Sequence, residues 1–156
     1  MMDRIEKVRE VVDVILLEMS DDQFRRHAYV HLYGVSQACA LLAMKRNENV
    51  ELATIAGMLH DIHTYSTGDS TDHAHKGAVR ARSILISLGL FDAEEIDRIC
   101  GAIYNHSSKG EKNAPLDEIL KDADVMHHAI YNPLWAVIEK EQERFDALKK
   151  ELSIGM

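Results

Sequence analysis

The sequence predicts an all-α fold, a single helical domain of the bundle type with about six to seven helices over residues 1–156. Apolar residues recur at the three- and four-residue spacing of amphipathic helices, and no run alternates apolar and polar residues long enough to indicate a strand. Only two prolines and eight glycines interrupt the chain. A chain of 156 residues has the length of one domain with a substantial core.

The first half contains three predicted helices. An apolar stripe predicts the first over residues 5–19, and a second over 22–45 carries His31 on its inward face. Asn49 is suited to cap a third helix over residues 50–63. Residues 64–71, with the sequence TYSTGDST, are polar and rich in turn-forming residues, so we expect a loop there.

The second half contains four more predicted helices, which cover 72–88, 92–106, 116 to the Asn132-Pro133 pair, and the charged stretch from that pair onward. Asp72 is expected to cap the first of these, which stops before Gly89. Asp92 and Glu95 have the spacing of a capping box. Residues 107–114 are predicted to form a second polar loop.

The chemically informative residues are histidines and aspartates that fall on or at the ends of separate predicted helices. They are His31, His60, Asp61, His75, His106 and Asp124. Imidazole and carboxylate groups are costly to bury without partners. A metal ion bound by neutral imidazole and ionised carboxylate removes that cost. The sequence therefore predicts a centre for one or two divalent transition-metal ions, drawn from Fe, Mn, Co, Ni and Zn.

These residues also carry a family resemblance. His31 in YVHLYGV, the His60-Asp61 pair in IAGMLHDI and Asp124 in ILKDADVM resemble the H…HD…D motif of the HD-domain superfamily of metal-dependent phosphohydrolases. His75 in DHAHKGA and His106 in IYNHSSKG make the set similar to the dinuclear branch, which includes nucleotide-cleaving and phosphodiesterase-type hydrolases. The resemblance implies that all of these residues are metal ligands. The alternative is that His75 and His106 only hydrogen-bond a substrate phosphate beside a single ion.

The sequence departs from the family pattern at two positions that concern substrate contacts. Thr64 stands where many members have a lysine, and Val125 where many have a basic residue. Lys76 and Arg80, spaced i, i+4, and Lys109 in the second loop are the candidate replacements for binding an anionic substrate. The alternative for each is an ordinary solvated surface charge.

The resemblance implies an enzyme that hydrolyses a phosphate ester or anhydride of a small substrate, of nucleotide type, with metal-activated water. Asp61 and His60 are its expected catalytic residues, with Asp61 bridging the ions or orienting the nucleophile. No nucleophile elbow or glycine-rich phosphate loop is present in the sequence. Two alternatives remain open: a di-iron oxygenase of the same fold, and a non-catalytic sensor that binds a nucleotide.

The composition and charge of the chain limit which partners and surroundings we expect for it. A net charge of −8 argues against a broad nucleic-acid surface. No apolar run reaches the length of a membrane span, and the first ten residues lack the apolar region of a signal peptide. Cys39 and Cys100 lie in apolar helical patterns and are expected to be buried free thiols of a cytoplasmic protein. The amphipathic ends are compatible with a homodimer, and Trp135 is expected to be a packing residue.

Overall fold

A computed structural model describes residues 2–155, and it confirms the all-α prediction. Within that range, eight α-helices and no strand are found. They are α1 (Arg4–Leu17), α2 (Asp22–Arg46), α3 (Val50–Leu59), α4 (Ile62–Thr67), α5 (His73–Leu88), α6 (Ala93–Asn105), α7 (Pro115–Tyr131) and α8 (Glu139–Leu152). None of the helices in these residues combines the length and apolar character needed to cross a membrane.

Side-chain caps explain where several of the helices begin. The carboxylates of Asp3 and Asp21 and the side-chain oxygen of Asn49 each accept a hydrogen bond from the backbone N–H three residues later. The predicted capping box is present at the start of α6, where Asp92 and Glu95 each accept from the other's backbone N–H. These bonds satisfy donors that the first helical turn leaves free.

The predicted third helix is broken in the structure. It ends at Leu59 and a short helix, α4, begins at Ile62, inside what we had predicted as helix and loop. The backbone of Asp61, with φ −113° and ψ 16°, leaves the helical region and produces this break. The break accounts for the eighth helix, and it turns the Asp61 side chain away from the direction that a continuous helix would impose.

The last helix also begins later than predicted, at Glu139. Residues 132–138 form turns instead, in which the backbone N–H of Trp135 donates to the carbonyl of Asn132 and that of Leu134 donates to the Asn132 side chain. Such local bonds compete with helix formation, and Pro133 lacks a backbone donor. The result is an irregular segment between α7 and α8.

The core is one cluster of buried apolar residues with α2 and α3 at its centre. α2 packs along α3 and α7, and α5 and α6 pack on each other and complete the core around α3. α2 and α3 approach each other closely at Gly57, where a Cβ would lie 2.6 Å from the Cα of Ser36. This small residue lets the two helices approach closely, and they carry His31 and His60.

We predict that Gly57→Ala destabilises the protein because the added methyl group would collide with the α2 backbone. Overpacking of this kind costs about 1–3 kcal/mol, and each kcal/mol corresponds to about 2–4 °C in melting temperature for a chain of this size. Thermal unfolding followed by circular dichroism measures the effect.

Gly101→Ala is the matched control, since Gly101 is also helical but a Cβ there meets nothing within 4 Å. It should stabilise by up to about 1 kcal/mol. Equal stability of the two variants would contradict the prediction.

Candidate metal centre

Four of the predicted ligands meet in the interior, supplied by α2, the α3–α4 break and α7. The Nε2 atoms of His31 and His60 are 3.0 Å apart, and they lie 3.0 and 3.3 Å from Oδ2 of Asp61. Oδ1 of Asp124 lies 3.5 Å from both nitrogens. Donors held about 2.0–2.2 Å from one ion in a tetrahedron are roughly 3.3–3.6 Å apart. The spacing among His31, His60 and Asp61 therefore suits a single ion, and Asp124 lies beside both imidazoles.

The second oxygen of Asp61 faces another group of imidazoles. Its Oδ1 lies 3.3 Å from Nε2 of His106 and 3.8 Å from Nε2 of His73. These three side chains form a second set of donors close enough to hold an ion. Because the two oxygens of Asp61 face different donor sets, this carboxylate is placed to bridge two ions.

Backbone carbonyls fix the direction in which two of the rings present their nitrogens. Nδ1 of His60 lies 2.7 Å from the carbonyl oxygen of Gly57, and Nδ1 of His106 lies 2.6 Å from that of Ile103. A carbonyl can only accept, so each Nδ1 carries the proton. When the ring is neutral, each Nε2 has a free lone pair that points into the centre, as metal-binding histidines require.

His31 obtains the same orientation from another histidine. Its Nδ1 lies 3.1 Å from Nδ1 of His127, which packs behind it. Burial, with help from the His31 ring, lowers the pKa of His127 to about 4, so His127 is neutral and able to accept the bond. The His127 ring occupies the space beside Gly34, where any Cβ would overlap it.

The charges in the centre show that it requires a cation. Oδ1 of Asp61 and Oδ1 of Asp124 are buried and accept no hydrogen bond. Burial by itself lowers the pKa of the His60 ring, but the two aspartates outweigh it and raise that pKa to about 10. Even without a metal ion, the two carboxylates therefore keep the His60 ring protonated and positively charged. Imidazole nitrogen and carboxylate oxygen are donors that suit Fe, Mn, Co, Ni or Zn, so these residues fit the predicted divalent ion.

Lys109, one of the candidate substrate-binding cations, reaches the centre. Its Nζ lies 2.7 Å from Oδ2 of Asp124 and donates to the carbonyl of His106 at 2.6 Å. Burial would raise the pKa of Asp124, but this ammonium group and the His60 ring hold it well below its usual range. Lys109 therefore occupies one oxygen of Asp124 and leaves the other directed at the imidazoles.

His75 is not brought into the centre, and His73 stands there instead. The ring of His75 stacks on Tyr104 with centroids 3.9 Å apart, and its Nδ1 lies 2.9 Å from Oδ1 of Asp72. Residues two apart on a helix point about 200° away from each other, so only one of the two histidines can face inward. Asp72, which precedes α5, adopts a left-handed conformation with φ 52° and forms no capping bond, contrary to our expectation.

Lys76 and Arg80, the other predicted substrate contacts, also lie outside the centre. Lys76 pairs with Asp69, with 2.7 Å between Nζ and Oδ2. Arg80 is exposed and lines a separate surface groove beside Phe24 and Gly68.

A cavity of about 500 Å³ opens beside His31 and Asp61. Its outer lining comes from the end of α7, the irregular segment 132–138 and the start of α8, and of these residues only His127 was indicated by the sequence, through its position one turn after Asp124. That lining consists of His127, His128, Ala129, Tyr131, Trp135, Ala136, Val137, Ile138 and Glu141. Trp135, which we expected to pack in the interior, is 66% exposed.

His128 connects this lining to the ligands. Its Nδ1 lies 3.1 Å from a carboxylate oxygen of Glu141, and its Nε2 lies 3.3 Å from Oδ1 of Asp124. His63, by contrast, lies 3.6 Å from Asp69 and away from the ligands. The adjacency of His127 and His128 to Asp124 on the predicted helix was the only sequence signal for their place in the site.

Three comparisons with known proteins each found a match. The family model described as HD domain matches residues 28–129, which contain every ligand named above. Ribonuclease Y 2 of Levilactobacillus brevis is 28% identical over 130 residues, and the match covers 81% of this chain but 22% of that protein. This chain thus spans about a fifth of that relative's length. The crystal structure of a predicted HD superfamily hydrolase from an uncultured Thermotogales bacterium matches with a TM-score of 0.61 and 23% identity, covering 97% of this chain and 96% of the other.

We predict that metal removal destabilises the protein, because two buried carboxylates and several imidazoles would lose their shared cation. A ligand that binds only the folded state at 100 times its dissociation constant contributes about 2.7 kcal/mol. Chelation should therefore lower the melting temperature by several degrees, and added divalent transition metal should restore it. An unchanged melting curve in excess chelator, with metal analysis showing an empty protein, would contradict the assignment.

A second prediction distinguishes His73 from His75. His73→Ala should reduce the bound metal towards one ion per chain, because His73 belongs to the donor set on Oδ1 of Asp61. His75→Ala is the matched control and should leave the metal content unchanged, since its ring lies against Tyr104. Elemental analysis of both purified variants measures this. Loss of metal in the His75 variant alone would reverse the assignment.

Proposed function

This chain belongs to the HD-domain family, and we propose that it is a metal-dependent phosphohydrolase that cleaves a phosphate ester or anhydride of a small phosphorylated compound of nucleotide type. Family membership supports metal-dependent phosphohydrolase chemistry in general terms. The observation that carries the proposal is the placement of Asp61, whose two oxygens face separate sets of imidazole nitrogens.

In this proposal His31, His60 and Asp61 hold one ion, and Asp61, His73 and His106 hold the other. Asp124 is the fourth proposed ligand of the first ion, with its Oδ1 3.5 Å from the Nε2 atoms of His31 and His60. Bound metals of this kind supply a nucleophilic water at neutral pH and neutralise the phosphoryl oxygens. Asp61 fixes the distance between the two donor sets and orients the attacking water between them. Phosphoryl transfer depends mainly on positioning and charge neutralisation, so no nucleophilic side chain is needed.

Other residues of the chain keep this arrangement in place. Lys109 and His128 contact different oxygens of Asp124, and Glu141 fixes the ring of His128 from behind. Lys109 is therefore placed to position Asp124 and to add positive charge where the phosphate binds. The cavity beside His31 and Asp61 gives a substrate access to this point.

A small substrate fits this site better than a long nucleic acid. The likeness to a ribonuclease Y raises the possibility of a phosphodiester substrate, but an extended RNA needs a basic surface along its backbone. The chain has a net charge of −8, and no Lys or Arg in the described part of the chain lines the cavity. These observations favour a compound that places one phosphate at the metals and little further charge beyond it.

The test is phosphate release from a panel of nucleotides and sugar phosphates by the metal-loaded protein, compared with the Lys109→Met variant. A hydrogen bond to a charged group is worth about 1.5–3 kcal/mol, so kcat/KM should fall roughly tenfold or more. Lys76→Met is the control and should retain full activity, because Lys76 pairs with Asp69 outside the centre.

Metal content and melting temperature are measured for both variants, so that a fall in activity is separated from loss of the site. If Lys109→Met keeps its metal and cleaves every ester like the parent, Lys109 has no role in the reaction. If the parent with metal loaded cleaves no phosphate ester, the proposed function is wrong.

A further inference from the structure

The outer half of the cavity contains aromatic rings that the hydrolytic centre does not use. A series of ring contacts leads outward from the ligand His31. Its ring lies parallel to that of His27 at 6.0 Å, His27 meets Tyr131 edge-on at 5.4 Å, and Tyr131 lies 6.3 Å from Trp135. We call His27, Tyr131 and Trp135 the aromatic wall. It connects the metal centre with the cavity opening.

The aromatic wall is exposed to a degree that packing does not explain. Trp135 is 66% exposed and Tyr131 is 42% exposed, although both line the cavity. Between them and α8 the lining is apolar, formed by Ala136, Val137 and Ile138. Large aromatic side chains are normally buried, and a contiguous exposed apolar patch beside a cavity indicates a binding surface.

The charges around this cavity limit what the wall can bind. No Lys or Arg side chain among residues 2–155 lines it, while the carboxylates of Asp61 and Glu141 do. Lys109 is buried and already bonded to Asp124. A ligand can therefore have its anionic charge neutralised at the metal centre and only weakly elsewhere. This favours an uncharged planar group next to a single phosphate over a chain of several phosphates.

We propose that the aromatic wall is the binding subsite for the base of a nucleoside monophosphate, which stacks on Trp135 and Tyr131 while its phosphate lies at the His and Asp cluster. This inference rests on the proposed function and names the substrate class of the same site. The cavity of about 500 Å³ is within the usual range for small-molecule sites. Its outer lining has no amide side chain to read base edges, and stacking alone tolerates every base. The subsite therefore distinguishes a nucleotide from a sugar phosphate, but one base only weakly from another.

Fluorescence tests this binding without depending on turnover. Trp135 is the only tryptophan in the sequence, so its emission reports the wall directly. AMP, GMP and CMP added to the metal-loaded protein should quench it saturably, measured by stopped flow before turnover. Ribose 5-phosphate, which has the phosphate but no base, should not quench it. ATP should bind more weakly than AMP, because the wall offers no cation for the extra phosphates.

Kinetics of a Trp135→Ala variant give the second readout. Stacking of a base on an aromatic side chain accounts for roughly a fivefold to hundredfold change in binding. KM for AMP should rise by that factor, with kcat and the KM for ribose 5-phosphate unchanged. Trp135→Phe should recover most of the loss. Leu134→Ala is the matched control, because its side chain is 91% exposed beside Trp135 and does not line the cavity.

The outcomes separate this subsite from the proposed function. If AMP and ribose 5-phosphate are cleaved with equal kcat/KM and neither quenches Trp135, the subsite is wrong and the phosphohydrolase stands. If nucleotides quench Trp135 but no phosphate ester is cleaved, the subsite stands and the phosphohydrolase is wrong. If the emission is insensitive to nucleotides but shifts on dilution of the protein, a second copy of the chain covers the wall and the subsite is wrong.

Discussion

Asp61 and Asp124 each direct a buried oxygen that accepts no hydrogen bond towards imidazole nitrogens from other helices. Two carboxylates at this depth are tolerable only when positive charge lies between them. Lys109 supplies part of that charge, and the geometry of the donors suits metal ions for the rest. Much of the surrounding structure serves to hold these groups a few ångströms apart, since each comes from a different part of the chain.

Helix ends and glycines fix the positions of these metal-site groups. His60 and His106 both stand where a helix stops, and there the ring Nδ1 can donate to the carbonyl three residues back while Nε2 faces inward. Gly57 lets α2 and α3 approach, and Gly77 lets α5 pass close to the carbonyl of His60, where a Cβ would lie 2.9 Å from its oxygen. The ligand positions are thus set by backbone contacts, and backbone is less free to adjust than a surface side chain.

The sequence allowed much of this arrangement to be predicted, because helical periodicity identifies which residues face inward. His31, His106 and Asp124 lie on or at the end of helices whose apolar stripes can be recognised in the sequence. The choice between His73 and His75 could not be predicted in this way, since both fall in the first turn of α5 and the left-handed backbone of Asp72 before it was not indicated by the sequence. The role of Trp135 depends on an irregular segment between two helices, and periodicity says nothing about a segment that has none.

The net negative charge of the chain would oppose the binding of the proposed anionic substrate. A net charge of −8 repels a phosphate at long range, but salt screens exposed charges beyond about 8 Å at physiological ionic strength. At the proposed phosphate position the nearest groups decide, and they are the metal ligands and His128, with Lys109 bonded to Asp124 behind them. An aromatic wall beside them adds affinity through contact area that neither screening nor net charge affects. The proposed site would select a substrate by one phosphate and one planar group, and it would disfavour longer polyanions because no Lys or Arg among residues 2–155 lines the cavity.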